Sequence, residues 1–230
     1  MTTTAFLPAT IAARWQEAAE LVGLRVDVPA AIAKSYAVPG QYVQLAVKDQ
    51  PPAFLAIASP PGASALEFLI KRSDATTALV GLAAGDHVEV SLAQGQGYPV
   101  AAHKGHDVLL FAVGSGISPI RSLIGYLAAH RLEYAGVTLF YGARTHAHVP
   151  YIDEAAQWEA AGVQVVRMLS RPDQPRDGFA EGYVHEAVRV HPVQPGKTVA
   201  FVCGMPAMVV GVAAELKKLG VPAERVFQNF

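Results

Sequence analysis

The feature that most constrains the fold is a change in the hydrophobic pattern close to residue 104. From there on, uninterrupted apolar runs alternate with segments of helical spacing, and the first run is Asp107–Val113 (DVLLFAV). An uninterrupted apolar run is typical of a parallel strand that is buried on both faces. Strands of this kind, alternating with helices, predict βαβ units and a doubly wound parallel sheet.

The second part of the chain, residues 104–230, is therefore expected to form an α/β domain. Ser118 is predicted to be the N-cap of its first helix and Pro119 the first helical residue, because both residue types favour those positions. The strands are predicted at 107–113, 137–141, 163–169, 198–203 and 226–230, and the helices at 119–130, 154–160 and 207–219.

Residues 1–103 have a different pattern, in which short runs of β-branched, aliphatic and aromatic residues are separated by glycine and proline. Short strands at this spacing indicate an antiparallel barrel or sandwich. The expected fold is thus an antiparallel β-barrel followed by the α/β domain, with the boundary between residues 103 and 104. The clearest strands are predicted at 40–47, 53–58, 65–71 and 87–92, with a short helix at 75–82.

The composition argues against several classes of protein. The 230 residues carry 18 basic and 19 acidic side chains, so no basic surface for nucleic acid is predicted. A single cysteine, Cys203, leaves no disulfide framework and no all-thiolate iron–sulfur or zinc site within this sequence. The most apolar uncharged run, 201–214, is shorter than the roughly 18 residues of a membrane span. No signal peptide is visible, so we expect a cytoplasmic protein.

The strongest candidate for ligand binding is Gly114-Ser115-Gly116-Ile117-Ser118-Pro119, between the first parallel strand and its helix. Glycines there let the backbone approach a phosphate, and the free N–H groups and dipole of the helix attract the anion. Pro119 takes the place of the third glycine in the usual dinucleotide fingerprint. A tight strand-to-helix turn without a ligand is an equally good interpretation of the motif alone.

A second candidate, Cys203-Gly204-Met205-Pro206-Ala207-Met208, follows the fourth predicted strand. Ligands of open α/β sheets bind beyond the carboxyl ends of the strands, so this segment would offer a flat floor and a polarisable thiol. A buried structural cysteine is, however, the commoner role of a single cysteine.

The tips of the second and third strands form a third candidate: Tyr141-Gly142-Ala143-Arg144, and Ser170 with Arg171. No carboxylate ends the second strand, where one would bind a ribose diol, and the arginines permit a 2′-phosphate and hence NADP. Two solvated surface arginines are the alternative. No metal site is predicted, since surface loops account for His103, His106, His146 and His148 better than a metal does.

Together these motifs resemble the ferredoxin–NADP reductase superfamily over essentially the whole chain. The matching segments are Pro39-Gly40-Gln41-Tyr42, the Gly-x-Gly-x-x-Pro motif, Tyr141-Gly142-Ala143-Arg144, Gly182-Tyr183-Val184 and the Cys-Gly-x-Pro-x-Met motif. More narrowly, residues 56–61 (AIASPP), 114–123 (GSGISPIRSL) and the terminal Asn229-Phe230 resemble an FNR-like subgroup of bacteria and plastids.

The resemblance implies a flavin-binding barrel, an NAD(P)-binding domain and hydride transfer from NAD(P)H to FAD, or to FMN. The Gly-x-Gly-x-x-Pro motif would hold the pyrophosphate of NAD(P)H, and Cys203 would lie at the hydride-transfer site with Phe230 covering the flavin ring. The further positions implied to contact either cofactor are Ala56, Ile57, Ala58, Ser59, Lys71, Thr76, Thr77, Gly114, Ser115, Gly116, Ser118, Tyr141, Gly142, Arg144, Ser170, Arg171, Gly204, Met205 and Met208. Of these, Thr76 and Thr77 would meet the flavin phosphate.

One departure from the family pattern bears on the flavin. The family motif Arg-x-Tyr-Ser binds the flavin phosphate through Arg, packs Tyr on the flavin and places Ser near the ring atom N5. The corresponding segment here is Ala53-Phe54-Leu55-Ala56, without any of the three functional side chains. An Arg–phosphate contact contributes roughly 1.5–3 kcal/mol, so its loss would weaken flavin binding about tenfold to a hundredfold.

Three hypotheses follow. The leading one is a flavin-dependent NAD(P)H oxidoreductase that passes electrons to a separate acceptor, either a protein or a small molecule. The second is a flavin-free relative that binds a nucleotide or a partner. The third is an electron-transfer subunit that works only inside a larger complex. The choices between NADH and NADPH and between FAD and FMN remain open, because Glu181 close to the two arginines would repel a 2′-phosphate.

Overall fold

Two six-stranded sheets follow one another along the chain in the computed structural model, which describes residues 5–229. All pairings in the first sheet are antiparallel, and its spatial order is β4-β3-β6-β1-β2-β5. Its strands are β1 (Phe6–Ala18), β2 (Leu21–Asp27), β3 (Tyr42–Ala46), β4 (Ala53–Ala56), β5 (Leu66–Lys71) and β6 (His87–Ser91), with helices α1 (Ala30–Ser35) and α2 (Thr77–Val80).

The four strands predicted in this part are confirmed, whereas β1 and β2 were not among the predicted strands. The pairing of β1 with β2 shifts register between Ile11 and Ala13 and again between Gln16 and Ala18. Each irregularity interrupts the alternation of apolar and polar residues by which strands are recognised. The helix expected at 75–82 is present as a short turn followed by α2.

The second sheet is entirely parallel, with the spatial order β10-β9-β8-β7-β11-β12, and it confirms the predicted doubly wound architecture. The sequence analysis did not predict β10 or α5. The strands are β7 (Asp107–Val113), β8 (Gly136–Ala143), β9 (Gln164–Leu169), β10 (Ala180–Glu181), β11 (Thr198–Cys203) and β12 (Val226–Gln228), and the helices are α3 (Ile117–Ala129), α4 (Ala155–Ala160), α5 (Val184–Ala187) and α6 (Pro206–Lys218).

The predicted start of α3 is wrong by two residues. A single turn at Gly114–Gly116 leads directly into the helix, so Gly116 occupies the N-cap position. Ser118 therefore lies inside the first helical turn, and its hydroxyl caps no helical N–H. It donates instead to the carbonyl of Ala56 in the first sheet, at 2.9 Å.

The two parts of the chain share a hydrophobic core. Leu21, Leu69 and Tyr98 pack in one cluster with residues of β7, α3 and β11. The change from one sheet to the other falls between Ser91 and Asp107. The predicted domain boundary at residues 103 and 104 lies within this interval and remains a prediction.

Candidate active site

A large cleft lies between the two sheets. Its volume is about 1250 Å³, above the 300–1,000 Å³ of a typical small-molecule site. Both sheets line it, the first through β4 and β5 and the second through the carboxyl ends of β7, β8 and β11. Its position beyond the carboxyl ends of parallel strands is where ligands bind to α/β sheets.

The two glycines of the turn before α3 allow a ligand to approach the backbone closely. Gly114 has a φ of +55°, and a Cβ atom there would project into open space. A Cβ atom on Gly116 would lie 2.4 Å from the carbonyl oxygen of Cys203, so only glycine lets the turn pack against the end of β11. The resulting cradle, at the N-terminus of a 13-residue helix, fits a phosphate group.

Cys203 contributes a neutral thiol to the floor of the cleft. Burial raises its pKa to about 11, although the neighbouring Tyr98 hydroxyl partly opposes this rise. Tyr98 is itself fully buried, and its hydroxyl donates a long hydrogen bond of 3.4 Å to the carbonyl of Val202. The thiol is therefore suited to van der Waals contact with a ligand rather than to nucleophilic attack.

The predicted adenosine-binding residues are only partly brought together. Gly142, Arg144 and Ser170 line the cleft at the ends of β8 and β9. Tyr141 is buried, and its hydroxyl donates to the carbonyl of Gly114 at 3.4 Å, so it supports the glycine turn from behind. Arg171 is exposed and does not line the cleft, although its backbone N–H donates to the carbonyl of Arg144.

The predicted flavin-binding residues of the first sheet are also divided. Ala56, Lys71 and Thr76 line the cleft, whereas Thr77 does not. The Thr76 hydroxyl donates to the carbonyl of Lys71 at 2.7 Å, and that of Thr77 to Ser73 at 2.9 Å. Both hydroxyls are thus engaged by backbone carbonyls, and Lys71 is a cation that lines the cleft on this side.

The remaining predicted positions separate in the same way. Ile57, Ala58 and Ser59 are buried beneath the cleft wall, where the Ser59 hydroxyl accepts the N–H of Glu67 at 3.1 Å. Phe230 lies outside the described residues 5–229. The other predicted positions that line the cleft are Gly114, Ser115, Gly116, Ser118, Cys203, Gly204, Met205 and Met208.

Several lining residues were not predicted. Phe54 is 66% exposed although it is apolar, and its ring lies 5.9 Å from that of Tyr42 on the wall of the cleft. Tyr183 and Asn229 also line the cleft; like Tyr42, they fall within segments that carry the family resemblance. His148 was assigned to a surface loop, but it lines the cleft because the loop after β8 folds back toward the first sheet.

The histidines do not form a metal site. Within residues 5–229, no three His, Cys, Asp or Glu side chains come together in a way that suits a metal ion. His103, assigned to a surface loop, is half-buried between Phe201, Phe227 and His106. Burial and the neighbouring His106 and Arg225 lower its pKa.

A polar cluster around Arg121 joins the two sheets beside the cleft. Its guanidinium contacts Glu154 through two bonds of 2.8 Å, Glu67 on β5 at 2.7 Å and the carbonyl of Ala58 at 3.2 Å. Burial raises the pKa of Glu67, but the contacts with Arg25 and Arg121 outweigh it and hold this pKa below its ordinary value. The cluster therefore fixes the first sheet to α3, the helix that follows the glycine turn.

Similarity to known proteins agrees with this geometry. Residues 110–214 match the family model for the oxidoreductase NAD-binding domain. A ferredoxin NADP⁺ reductase from Neisseria gonorrhoeae, solved with bound FAD and NADP, superposes with a TM-score of 0.84 at 18% identity, covering 98% of both chains. The Amycolatopsis cytochrome P450 reductase GcoB gives the same TM-score at 22% identity, covering all of this chain and 71% of its own. Residues 110–214 belong to the oxidoreductase NAD-binding domain family, and the chain as a whole has the fold of these reductases.

Two relatives with 30% or more sequence identity are longer than this chain. The fruit protein pKIWI502 of Actinidia deliciosa is 35% identical over 208 residues, which cover 82% of this chain and 64% of the relative. The sulfhydrogenase 1 gamma subunit of Pyrococcus furiosus is 30% identical over 197 residues, covering 82% and 66%. The chain thus spans about two thirds of their length. Within residues 5–229, no helix is both long and apolar enough to cross a membrane.

Proposed function

We propose that this chain is an NAD(P)H-dependent flavin oxidoreductase that uses FAD and delivers electrons to a separate acceptor. The observation that carries the proposal is the composition of the cleft. One wall holds the glycine cradle and Cys203, and the facing wall holds Ala56 and Lys71 of the first sheet. A nicotinamide on one wall would meet a flavin on the other.

A bound flavin would supply the redox chemistry, which is hydride transfer from NAD(P)H and release of electrons singly or in pairs. The chain supplies binding and orientation. Backbone N–H groups at Gly114–Gly116 hold the pyrophosphate of NAD(P)H, and Arg144 with Ser170 meets its adenosine end. The neutral Cys203 thiol packs beside the nicotinamide without adding a charge, and Lys71 faces the flavin phosphate.

The acceptor is proposed to be another protein. Relatives bear names such as sulfhydrogenase gamma subunit and reductase component of propane 2-monooxygenase, both of which denote parts of multicomponent systems. The single cysteine of these 230 residues leaves no four-thiolate cluster within them, so an iron–sulfur or haem acceptor would have to be carried outside them.

Ferricyanide reduction tests the activity without knowledge of that acceptor. FAD-loaded protein should reduce ferricyanide with NADH or NADPH, consuming two ferricyanide per nicotinamide, because each hydride carries two electrons. Free FAD at the same concentration is the control. A rate no greater than that of free FAD, in protein shown to retain FAD, would reject the oxidoreductase assignment.

A second function is favoured by the loss of the Arg-x-Tyr-Ser side chains and by the occupied threonine hydroxyls. The chain would then be a flavin-free module that binds a nucleotide or a partner. It would quench NADH fluorescence by binding, yet it would remain colourless after exposure to FAD. Flavin retained through desalting would exclude this alternative.

A further inference from the structure

The turn between β1 and β2 places a strained residue on the cleft. Glu20 is the second residue of this two-residue turn, and its φ of +61° lies in the left-handed region that favours glycine. Asp49 and Tyr151 are the other non-glycine residues with a positive φ within residues 5–229, and neither lines the cleft. Strained residues of this kind are concentrated at functional sites, where the surrounding structure holds them in place.

Two backbone hydrogen bonds hold this turn between the two halves of the chain. The N–H of Ala19 donates to the carbonyl of Ala147, in the loop after β8, at 2.8 Å. The N–H of Arg72, just after β5, donates to the carbonyl of Glu20 at 2.9 Å. Glu20 therefore lies where the end of β5 meets the loop that begins at Arg144, and a ligand that extends along the cleft between these two segments passes beside it.

The carboxylate of Glu20 is available to such a ligand. Among residues 5–229, Glu20 is the single acidic residue that lines the cleft; Glu181, close to the arginines in sequence, does not line it. Glu20 is exposed and takes part in none of the ion pairs of the described chain. The carboxylate of Glu17, on β1 nearby, is by contrast engaged by the Trp15 indole and the backbone N–H of Tyr151.

A carboxylate selects the part of a nucleotide that it can bind. Its two oxygens only accept hydrogen bonds, so the ligand must supply donors, and a phosphate is repelled. The vicinal 2′- and 3′-hydroxyls of an adenosine ribose supply two donors side by side, which is why acidic residues bind this diol in dinucleotide-binding folds. The end of β8, where such a residue would stand, carries Ala143 and Arg144 instead.

We propose that Glu20 binds the vicinal hydroxyls of an adenosine ribose and so supplies, from the first half of the chain, the carboxylate that the end of β8 lacks. This inference rests on the proposed function, which brings NAD(P)H and FAD into the cleft. The diol is carried by NADH and by the adenosine half of FAD alike. NADPH has a 2′-phosphate in its place, and FMN ends at the flavin phosphate, so these two ligands lack it.

The experiment measures four dissociation constants by fluorescence titration, for NADH, NADPH, FAD and FMN, with the wild type and with Glu20→Gln, which keeps the size of the side chain and removes its charge. If the ribose belongs to NADH, Glu20→Gln should weaken NADH about three- to tenfold, the loss of a charge-assisted hydrogen bond, and should tighten NADPH by relieving repulsion. If it belongs to FAD, FAD should weaken by the same factor and FMN should not change. Either result supports the inference and identifies the nucleotide.

Asp49→Asn is the matched control. Asp49 is also an exposed carboxylate on a residue with a φ of +61°, but it does not line the cleft, so its substitution should change none of the four constants. Glu20→Gly is a second way to remove the carboxylate. Because glycine suits the left-handed backbone, this variant should show the same loss of affinity without unfolding at a lower temperature.

Four unchanged constants in Glu20→Gln would make Glu20 a solvated turn residue and overturn the inference. Equal weakening of FAD and FMN, or of NADH and NADPH, would also overturn it, because the contact would then lie outside the adenosine diol. The proposed function survives each of these results if the same protein reduces ferricyanide with NADH or NADPH. Wild-type protein that binds none of the four ligands would overturn both proposals together.

Discussion

The two walls of the cleft differ in the groups that they offer to a ligand. The wall formed by the second half relies on backbone: a glycine turn, the start of α3 and the end of β11. In the superfamily that this chain resembles, the Arg, Tyr and Ser side chains of the Arg-x-Tyr-Ser motif anchor the flavin to the wall formed by the first half. In this chain the three positions hold Ala53, Leu55 and Ala56. Leu55 is largely buried in the core of the first sheet and meets the cleft only through its remaining surface. A site made of backbone keeps its shape when the sequence changes, whereas one made of side chains can be lost by three substitutions.

The difference also appears in the charges. Along the first-half wall, within residues 5–229, Lys71 is the single cation that lines the cleft, beside the apolar Tyr42, Phe54 and Leu55. The second-half wall offers Arg144 and the N-terminus of α3. We therefore expect nicotinamide nucleotides to bind as they do in the reductases that this chain resembles. We expect FAD to bind less tightly than where the Arg-x-Tyr-Ser side chains are present, with apolar contacts contributing more than charge.

The largest effect is expected for nucleotide binding when a glycine of the turn before α3 is substituted. Gly116→Val would place a side chain 2.4 Å from the Cys203 carbonyl, which must displace either the turn or β11. Overpacking of about 1–3 kcal/mol or more should raise the dissociation constant for NAD(P)H roughly tenfold to a hundredfold or beyond. Fluorescence titration with NADH measures it. Gly196→Val is the control, because a Cβ atom there meets nothing within 4 Å. Equal affinities of the two variants would contradict the role given to the glycine turn.

A change of similar size, here in a reaction rate, is expected for the thiol of Cys203 on the same wall. With a pKa raised to about 11 by burial, Cys203 should react with iodoacetamide about a hundredfold more slowly at pH 8 than a free thiol, whose pKa is about 8.5. The rate should rise as the pH passes through about 11, where the thiolate forms. Mass spectrometry follows the reaction without ambiguity, because the chain has one cysteine. A rate that levels off near pH 8.5 would mean that the thiol is not buried as described.

The ion pairs of Arg121, which join the two walls, are expected to have a smaller effect, and that effect is on stability. Arg121→Met removes the cation that holds Glu67 and Glu154 and should lower the free energy of unfolding by about 2–3 kcal/mol, somewhat below a fully buried ion pair. Arg25→Met, the matched control, also removes a partner of Glu67, but its side chain is 52% exposed and should cost about 1 kcal/mol or less. Urea unfolding compares them. Similar losses would show that Arg121 has no special part in joining the sheets.

The smallest effect concerns the choice of nucleotide. Arg144 lines the cleft and Arg171 does not, so Arg144→Ala should raise KM for NADPH about tenfold while changing KM for NADH much less. Arg171→Ala, which the sequence pattern also singles out, should have the smaller effect of the two. Steady-state ferricyanide reduction measures both variants. The assignment fails if Arg144→Ala raises KM for NADH and NADPH by the same factor.

The fold of the second half was predictable because its buried strands are uninterrupted apolar runs and its helices begin at clear turns. Strand β1 escaped prediction because its bulges break the alternation. The glycine turn was predictable for the same reason as the fold, since its two glycines directly follow a buried apolar strand, but the sequence left a turn without a ligand equally open. Ser118, by contrast, fits an N-cap by sequence, and only the approach of β4 from a distant part of the chain gives its hydroxyl another partner.

The flavin wall was less predictable because its properties are tertiary. Nothing local shows that the Thr76 and Thr77 hydroxyls donate to backbone carbonyls, or that His148 turns toward the first sheet. The ion pair of Arg121 with Glu67 joins residues 54 positions apart in the sequence. The absence of the Arg-x-Tyr-Ser side chains was visible, but the hydroxyl that lies beside Ala56 was not.

The central claim is that the cleft still holds a redox-active flavin. The most direct measurement is the visible absorption spectrum of the protein after soaking with FAD and desalting, followed by anaerobic addition of NADH or NADPH. The account predicts a retained flavin spectrum that bleaches when the nicotinamide is added. A protein that leaves the column colourless would contradict it, as would retained FAD that neither nucleotide bleaches.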